Sequence, residues 1–259
     1  FSTTKGVPFI AFCGGSKKVW LYNWELNKTK TLNKHTKDVS ALCFDPKGTF
    51  LYSGGRDSLV YKWPIYDLVE NWDAKIEWDH WYREKGQIFQ IAISNNNQFF
   101  TMLTSDSSIT IWDISAGKRT GYVDVYMYRG FKSIFYTPAT FSPDNKLLVY
   151  ADSENNLRLL DMSKLKSQWF NHGMGQLISD VDFHPNGKIL ATTGYVNGKT
   201  KFWDLTHFDI SGSNTISTRT PTFTSTKAYE LNFDSIGNKL SCLFSTPSGP
   251  NLTLLNLTN

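Results

Sequence analysis

Apolar and polar residues alternate along most of this chain in short runs, and the runs stop at turn-forming residues. Val39–Phe44 alternates and is followed by Pro46-Lys47-Gly48; residues 50–54 form the next run, Arg56-Asp57-Ser58 interrupts, and residues 59–63 follow. Period-two runs separated by Gly, Pro, Asn and Asp predict antiparallel hairpins. A fourth strand is expected within 70–80. No stretch keeps a helical period; the best rival, the aromatic insertion 66–84, has room for one turn of helix. The pattern predicts an all-β chain built from four-stranded sheets.

Two markers recur in constant order. The first is an apolar run ending in Phe, a polar residue, Pro and a turn, at Phe44-Asp45-Pro46, Phe141-Ser142-Pro143 and Phe183-His184-Pro185. Weaker copies stand at Ile93-Ser94-Asn95 and Phe233-Asp234-Ser235, and the successive spacings are 49, 48, 42 and 50 residues. The second marker is a strand ending in Trp-Asp or a relative: Trp24-Glu25, Trp63-Pro64, Trp112-Asp113, Leu160-Asp161, Trp203-Asp204 and Leu255-Asn256. A four-stranded sheet of this size cannot bury both faces alone, whereas radial stacking buries them and leaves only short protected edges. A 40–50-residue period with Trp-Asp endings predicts a β-propeller. Six repeats are expected, roughly 1–35, 36–84, 85–130, 131–173, 174–226 and 227–259, in a single domain cut short at both ends. The first repeat shows only three strands, at 8–13, 18–24 and 28–33, and the last three, at 228–233, 239–244 and 251–257, so either six blades close imperfectly or, as favoured, a seventh blade lies outside this chain.

These residues resemble the WD-repeat family over nearly the whole chain. The resemblance implies a hydrogen-bonded set of His, Ser or Thr, Asp and Trp within a blade, here His35, Ser53, Asp57 and Trp63. A buried Asp needs donors, and imidazole and neighbouring amides supply them. The same residues also read as a catalytic His/Asp/Ser set, but their places on strands and turns match the structural role. The third repeat keeps Asp106 and Trp112, six apart as Asp57 and Trp63 are, with no clear His. The fourth has Leu160 in place of Trp, the fifth keeps His172 and Trp203 with Asn197 for Asp, and the sixth has lost most markers. More narrowly, the blocks 34–39, 113–118 and 233–237 are similar, in order, to blocks in the C-terminal propeller of the splicing-associated U-box ubiquitin ligases of the pre-mRNA-processing nineteen complex. This chain has no U-box, so ligase activity is not implied.

Composition adds three constraints. Charged residues are 19% and hydrophobic ones 40% of 259 residues, which argues against disorder. Residues 1–62 hold nine Lys and one Arg against four acids, within a net charge of +4, a bias suited to an acidic partner or a phosphate backbone. Cys13, Cys43 and Cys242 sit in apolar runs without CxxC spacing and read as buried thiols of a reducing, intracellular compartment; the resemblance implies the nucleus rather than the cytoplasm.

Enzyme motifs are absent from the sequence, the five His are dispersed, and no cofactor, metal or small-molecule substrate is expected. Asp180 and Asp182 alternate along one strand and face the same side, as a cation site or as a solvated edge. The resemblance places partners on the rim. There Arg56 and, one repeat later, Ser105 precede a turn Asp, and Lys37, Gln87, Lys132 and Gln176 lie before the first strands. Two aromatic insertions in links between blades add Trp78, Trp81 and Tyr82, and Tyr128 and Arg129. These rings either pad the space between blades or present a platform for partners or bases. The expected function is a non-catalytic protein-interaction scaffold of an intracellular multiprotein assembly associated with pre-mRNA splicing or a ubiquitin ligase. The alternatives are an RNA-contacting propeller and, less favoured, a propeller hydrolase; no contact with a membrane is expected.

Overall fold

A computed structural model gives the architecture. It describes residues 2–3, 7–77, 79–106, 108–125, 139–152, 156–170, 178–194, 200–208, 217–219, 227–234, 236–246 and 249–257. The chain divides into two compact units, Phe1–Asp124 and Val125–Asn259.

The first unit holds three antiparallel sheets in chain order. Sheet one is β1 (Ser2–Thr3), β2 (Phe9–Phe12), β3 (Lys18–Asn23) and β4 (Lys28–Asn33). Its β1 adds to the three strands expected there: a two-residue strand carries too little alternation to read. Sheet two is β5 (Val39–Phe44), β6 (Phe50–Gly55), β7 (Leu59–Pro64) and β8 (Asp79–Arg83), with a one-turn helix, α1 (Asp67–Glu70), before β8. Sheet three is β9 (Ile88–Ile93), β10 (Phe99–Thr104), β11 (Ser108–Asp113) and β12 (Lys118–Asp124). The second unit holds β13 (Ala139–Phe141), β14 (Leu147–Ala151), β15 (Leu157–Asp161) and β16 (Lys166–Phe170) as sheet four. Sheet five is β17 (Ile178–Phe183), β18 (Ile189–Gly194), β19 (Thr200–Asp204) and β20 (Ser217–Arg219), and sheet six is β21 (Lys227–Phe233), β22 (Lys239–Thr246) and β23 (Gly249–Asn256).

The first marker is a turn with a buried acceptor. In five sheets the residue four positions past its Phe or Ile has positive φ: Gly48, Asn97, Asn145, Gly187 and Gly237. Gly has no Cβ to clash there and Asn tolerates it, which is why the motif survives without Pro. The polar residue of the motif ties the turn down. Asp45, Ser94, Ser142 and Asp234 each accept a side-chain hydrogen bond from the amide that opens the next strand, at 2.7, 2.8, 2.9 and 2.9 Å.

The second marker caps the following turn. Asp113, Asp161 and Asp204 accept amides two or three residues ahead. In sheet one that role falls to Asn23, which accepts from Glu25 and Leu26 at 3.0 Å each. Register agrees: Phe9 pairs Asn23 as Phe99 pairs Asp113. The marker of the first repeat is therefore Tyr22-Asn23, not Trp24-Glu25, and Trp24 is exposed.

Within the first unit, Phe9, Val19 and Leu21 of sheet one pack against Leu59, Tyr61 and Trp63 of sheet two. The insertion is part of this layer. Leu68 and Trp72 are buried in it, and Trp72 lies 5.7 Å from Phe9. The other face of sheet two, through Tyr52 and Val60, meets Ile88, Phe100 and Met102 of sheet three. Residues 79–83 are strand β8, not a link, because Tyr82 and His80 find cross-strand partners in Val60 and Tyr61.

In the second unit, Val149, Leu157 and Leu159 of sheet four pack on Val181, Leu190 and Trp203 of sheet five. Leu160, in the place of Trp, is fully buried. Asp180 and Asp182 are neither a cation site nor a solvated edge. Each carboxylate accepts a backbone amide of β21, from Leu231 at 2.7 Å and Phe233 at 2.8 Å. They pin the otherwise open edge of β21 to β17, an edge that would leave amides unpaired.

Candidate interaction surface

The rim of sheet two is held by the side chains expected to support it. Ser53 is fully buried and central: Trp63 Nε1 donates to its Oγ at 2.8 Å, and His35 Nε2 lies 2.9 Å away. The other ring nitrogen, Nδ1, is 3.0 and 3.1 Å from the two Asp57 oxygens. Asp57 also accepts the amides of Thr36 at 2.7 Å and Leu59 at 3.2 Å. Burial pushes the Asp57 carboxyl up, but the His35 bond and charge and the two amides outweigh it and hold the carboxyl below its ordinary value. Tyr61 stands edge-on to His35 at 4.7 Å. Gly55 makes this possible, since a Cβ there would sit 2.5 Å from His35 Nδ1 and 2.7 Å from Asp57 Oδ1.

This network fixes two loops, 34–38 and 56–58. Arg56 N donates to Asp38 O at 2.8 Å, and Ser58, at φ 66°, donates to Gly55 O. The Arg56 backbone is thus clamped while its side chain is exposed, beside the exposed Lys37.

One repeat later the backbone clamp recurs and the side chains change. Ser105 N donates to Gln87 O at 2.8 Å, and Gln87 N donates back to Ser105 Oγ at 2.9 Å. The Ser105 hydroxyl serves its own loop, and Gln87, not a counterpart of Lys37, takes the place of Asp38. Asp106 and Trp112 do not share a network. Asp106 accepts from Thr104 and, at 2.9 Å, from Ser108. Trp112 Nε1 donates to Thr110 Oγ1, which donates to Glu84 Oε1, each at 3.1 Å. Met102 stands where sheet two has Ser53, so the serine bridge is missing. Glu84 occupies the histidine position, and sequence reasoning missed it. The signal was present: 49 residues separate Asp57 from Asp106, Trp63 from Trp112, and His35 from Glu84.

In sheet five Trp203 is buried and donates from Nε1 to Thr192 Oγ1 at 2.9 Å, reproducing the Trp63–Ser53 bond. Its expected partners His172 and Asn197 lie outside the described residues, as do Trp78, Tyr128, Arg129, Lys132 and Gln176. Trp81 has strand backbone, and Tyr82 is partly buried with its ring 4.0 Å from Trp112. Within the second unit a cavity of about 570 Å³ is lined by Phe202, Trp203, Phe233 and His184, the last engaged with Gly237 O at 3.1 Å. Among the described residues, no cluster of His, Cys, Asp and Glu has the geometry of a metal site. Among them too, no helix is long and apolar enough to cross a membrane.

The family model described as "WD domain, G-beta repeat" matches residues 26–64 and 163–204. The first match contains the whole of the His35–Ser53–Asp57–Trp63 network. Two of its repeats thus match the WD repeat, and its fold is that of a β-propeller. A subunit of chromatin assembly factor 1 from Mus musculus is 22% identical to it over 62% of this chain and 33% of that protein. Pre-mRNA-processing factor 17 of Homo sapiens is 22% identical over 78% of this chain and 34% of its own length. The WD-repeat chain thus spans about a third of these relatives. A chain in the crystal structure of a mitotic checkpoint complex shares its fold, with a TM-score of 0.77 at 13% identity over 99% of this chain and 75% of that one.

Proposed function

We propose that this WD-repeat chain is a non-catalytic scaffold of an intracellular, nuclear protein assembly, and that partners dock on the rim where Arg56 emerges. The observation that carries this reading is the clamped, exposed Arg56 on a turn fixed by four buried side chains. A guanidinium with a rigid backbone loses little freedom on binding, and arginine is a frequent interface anchor. The chemistry of the network speaks against catalysis. Ser53 Oγ is fully buried and already engaged by Trp63 and His35, so no substrate carbonyl reaches it. The names of the relatives, a chromatin assembly factor and a pre-mRNA-processing factor, favour a nuclear assembly and leave open which one.

The test is capture from nuclear extract, with and without RNase, by the full chain and by Arg56→Glu. The expected result is a set of proteins that survives RNase and falls about tenfold or more with the variant, as loss of an interface arginine predicts. An unchanged set removes Arg56 from the interface. Partners that vanish with RNase replace the protein scaffold by an RNA-binding one.

A further inference from the structure

A second recognition surface lies within the first unit one repeat beyond Arg56, at the same end of the sheets, where sheet three departs from sheet two and Glu84 N donates to Ser58 O at 2.9 Å. On β7 the face toward the preceding sheet carries Leu59, Tyr61 and Trp63, all buried in a shared apolar layer. On β11 the same positions are Ser108, Thr110 and Trp112. The loss of two bulky groups leaves a cavity of about 670 Å³, within the range of ligand sites, walled by β11, β12 and residues 83–85. Register puts its walls together: Trp112 pairs Arg119 and Thr110 pairs Tyr122 across the β11–β12 ladder, so these side chains share one face.

Charges of both signs line it. The partly buried carboxylate of Glu84 and the exposed one of Asp106 already accept hydroxyl protons from Thr110 and Ser108. On the rim, Arg83, Lys85 and Arg119 are exposed, and among the described residues none of the three forms an ion pair. Tyr122, 62% exposed, stands beside them.

We infer that this groove binds an extended acidic peptide segment of a partner protein. Carboxylates of the peptide meet the three rim cations, its backbone N–H groups donate to Glu84 and Asp106, and its aliphatic carbons lie on Trp112 and Tyr122. A nucleic-acid strand fits less well. Its phosphates find the same cations, but its backbone sets a charge against Glu84 and Asp106 at every nucleotide, whereas a peptide backbone brings an N–H donor at almost every residue.

The test uses the full chain and an array of nine-residue peptides, each with two to four Asp or Glu, printed beside copies in which these are Asn or Gln. A labelled oligouridylate is measured in parallel. The expected result is binding to acidic peptides, at least tenfold weaker for their amide copies, and at least tenfold weaker for Arg83→Gln/Lys85→Gln/Arg119→Gln. These three residues are exposed, so this variant is expected to fold. A second variant, Ser108→Leu/Thr110→Tyr, refills the space as in sheet two and loses the peptides with all cations present. Acidic peptides that bind both variants as well as the parent overturn the inference. So does an absence of any acidic binder, or an oligouridylate held more tightly than any peptide and lost in the charge variant. None of these outcomes depends on Arg56.

Discussion

Ser53 shows how much a single hydroxyl does in this chain. It is the common partner of His35 and Trp63, so Ser53→Ala strands two buried ring nitrogens at once. Leaving a buried polar group unsatisfied costs about 1–3 kcal/mol, and urea unfolding of Ser53→Ala is expected to show a loss in or above that range. Thr104→Ala in the next sheet, whose network lacks the bridge, is expected to lose less. A Ser53→Ala midpoint within error of the parent would show that the bridge contributes nothing. His35, Ser53, Asp57 and Trp63 were legible because four residue types at set spacings leave few alternatives. Glu84 was not, because it puts a carboxylate in the histidine position, and only the 49-residue period marks it. Tyr22-Asn23 was missed for a related reason: a nearby Trp drew the alignment two residues off, while the capping role belongs to any side-chain acceptor at the strand end.

Among the strands, β17 and β21 are joined by side chains rather than by a ladder, and this junction weakens as pH rises. Burial pushes the Asp182 carboxyl up to about 7, against the pull of the Phe233 and Phe183 amides. Between the ordinary value of 3.8 and about 7 the folded chain keeps a proton that the unfolded chain releases. The stabilisation is therefore complete below pH 3.8 and is lost as pH rises through about 7. Asp182→Asn keeps an acceptor for Phe233 and removes the charge. Relative to the parent, it is expected to gain stability between pH 5 and pH 8, read as the difference in urea midpoints. Equal pH dependence in both proteins would place the proton elsewhere. Asp57 works in the other direction and in another window: its stabilisation is present above pH 3.8 and lost on further acidification. The alternation of Asp180 and Asp182 was visible in the sequence, but their acceptor role was not, since it depends on a strand 51 residues away.

Taken as a whole, the molecule offers its own reporters. Cys43 lies in the first unit and Cys242 in the second, and burial pushes both thiols up to about 12. At pH 8 neither is expected to react with a thiol reagent until urea opens its unit, so labelling read residue by residue gives one midpoint for each. Rapid labelling of either cysteine in the native protein would contradict the packing described. The all-β architecture was legible because the turn and cap markers repeat in phase, and turn chemistry is local. The hollow beside β11 was not, because it arises from what Ser108 and Thr110 fail to fill, and a missing ring leaves no motif. That hollow has a cellular corollary. A site left underpacked is one where a bound partner restores stability, by about 2.7 kcal/mol at a hundred times its dissociation constant. Unliganded protein opens more often and is degraded faster, so the amount of this protein in a cell is expected to follow the supply of whatever occupies the hollow.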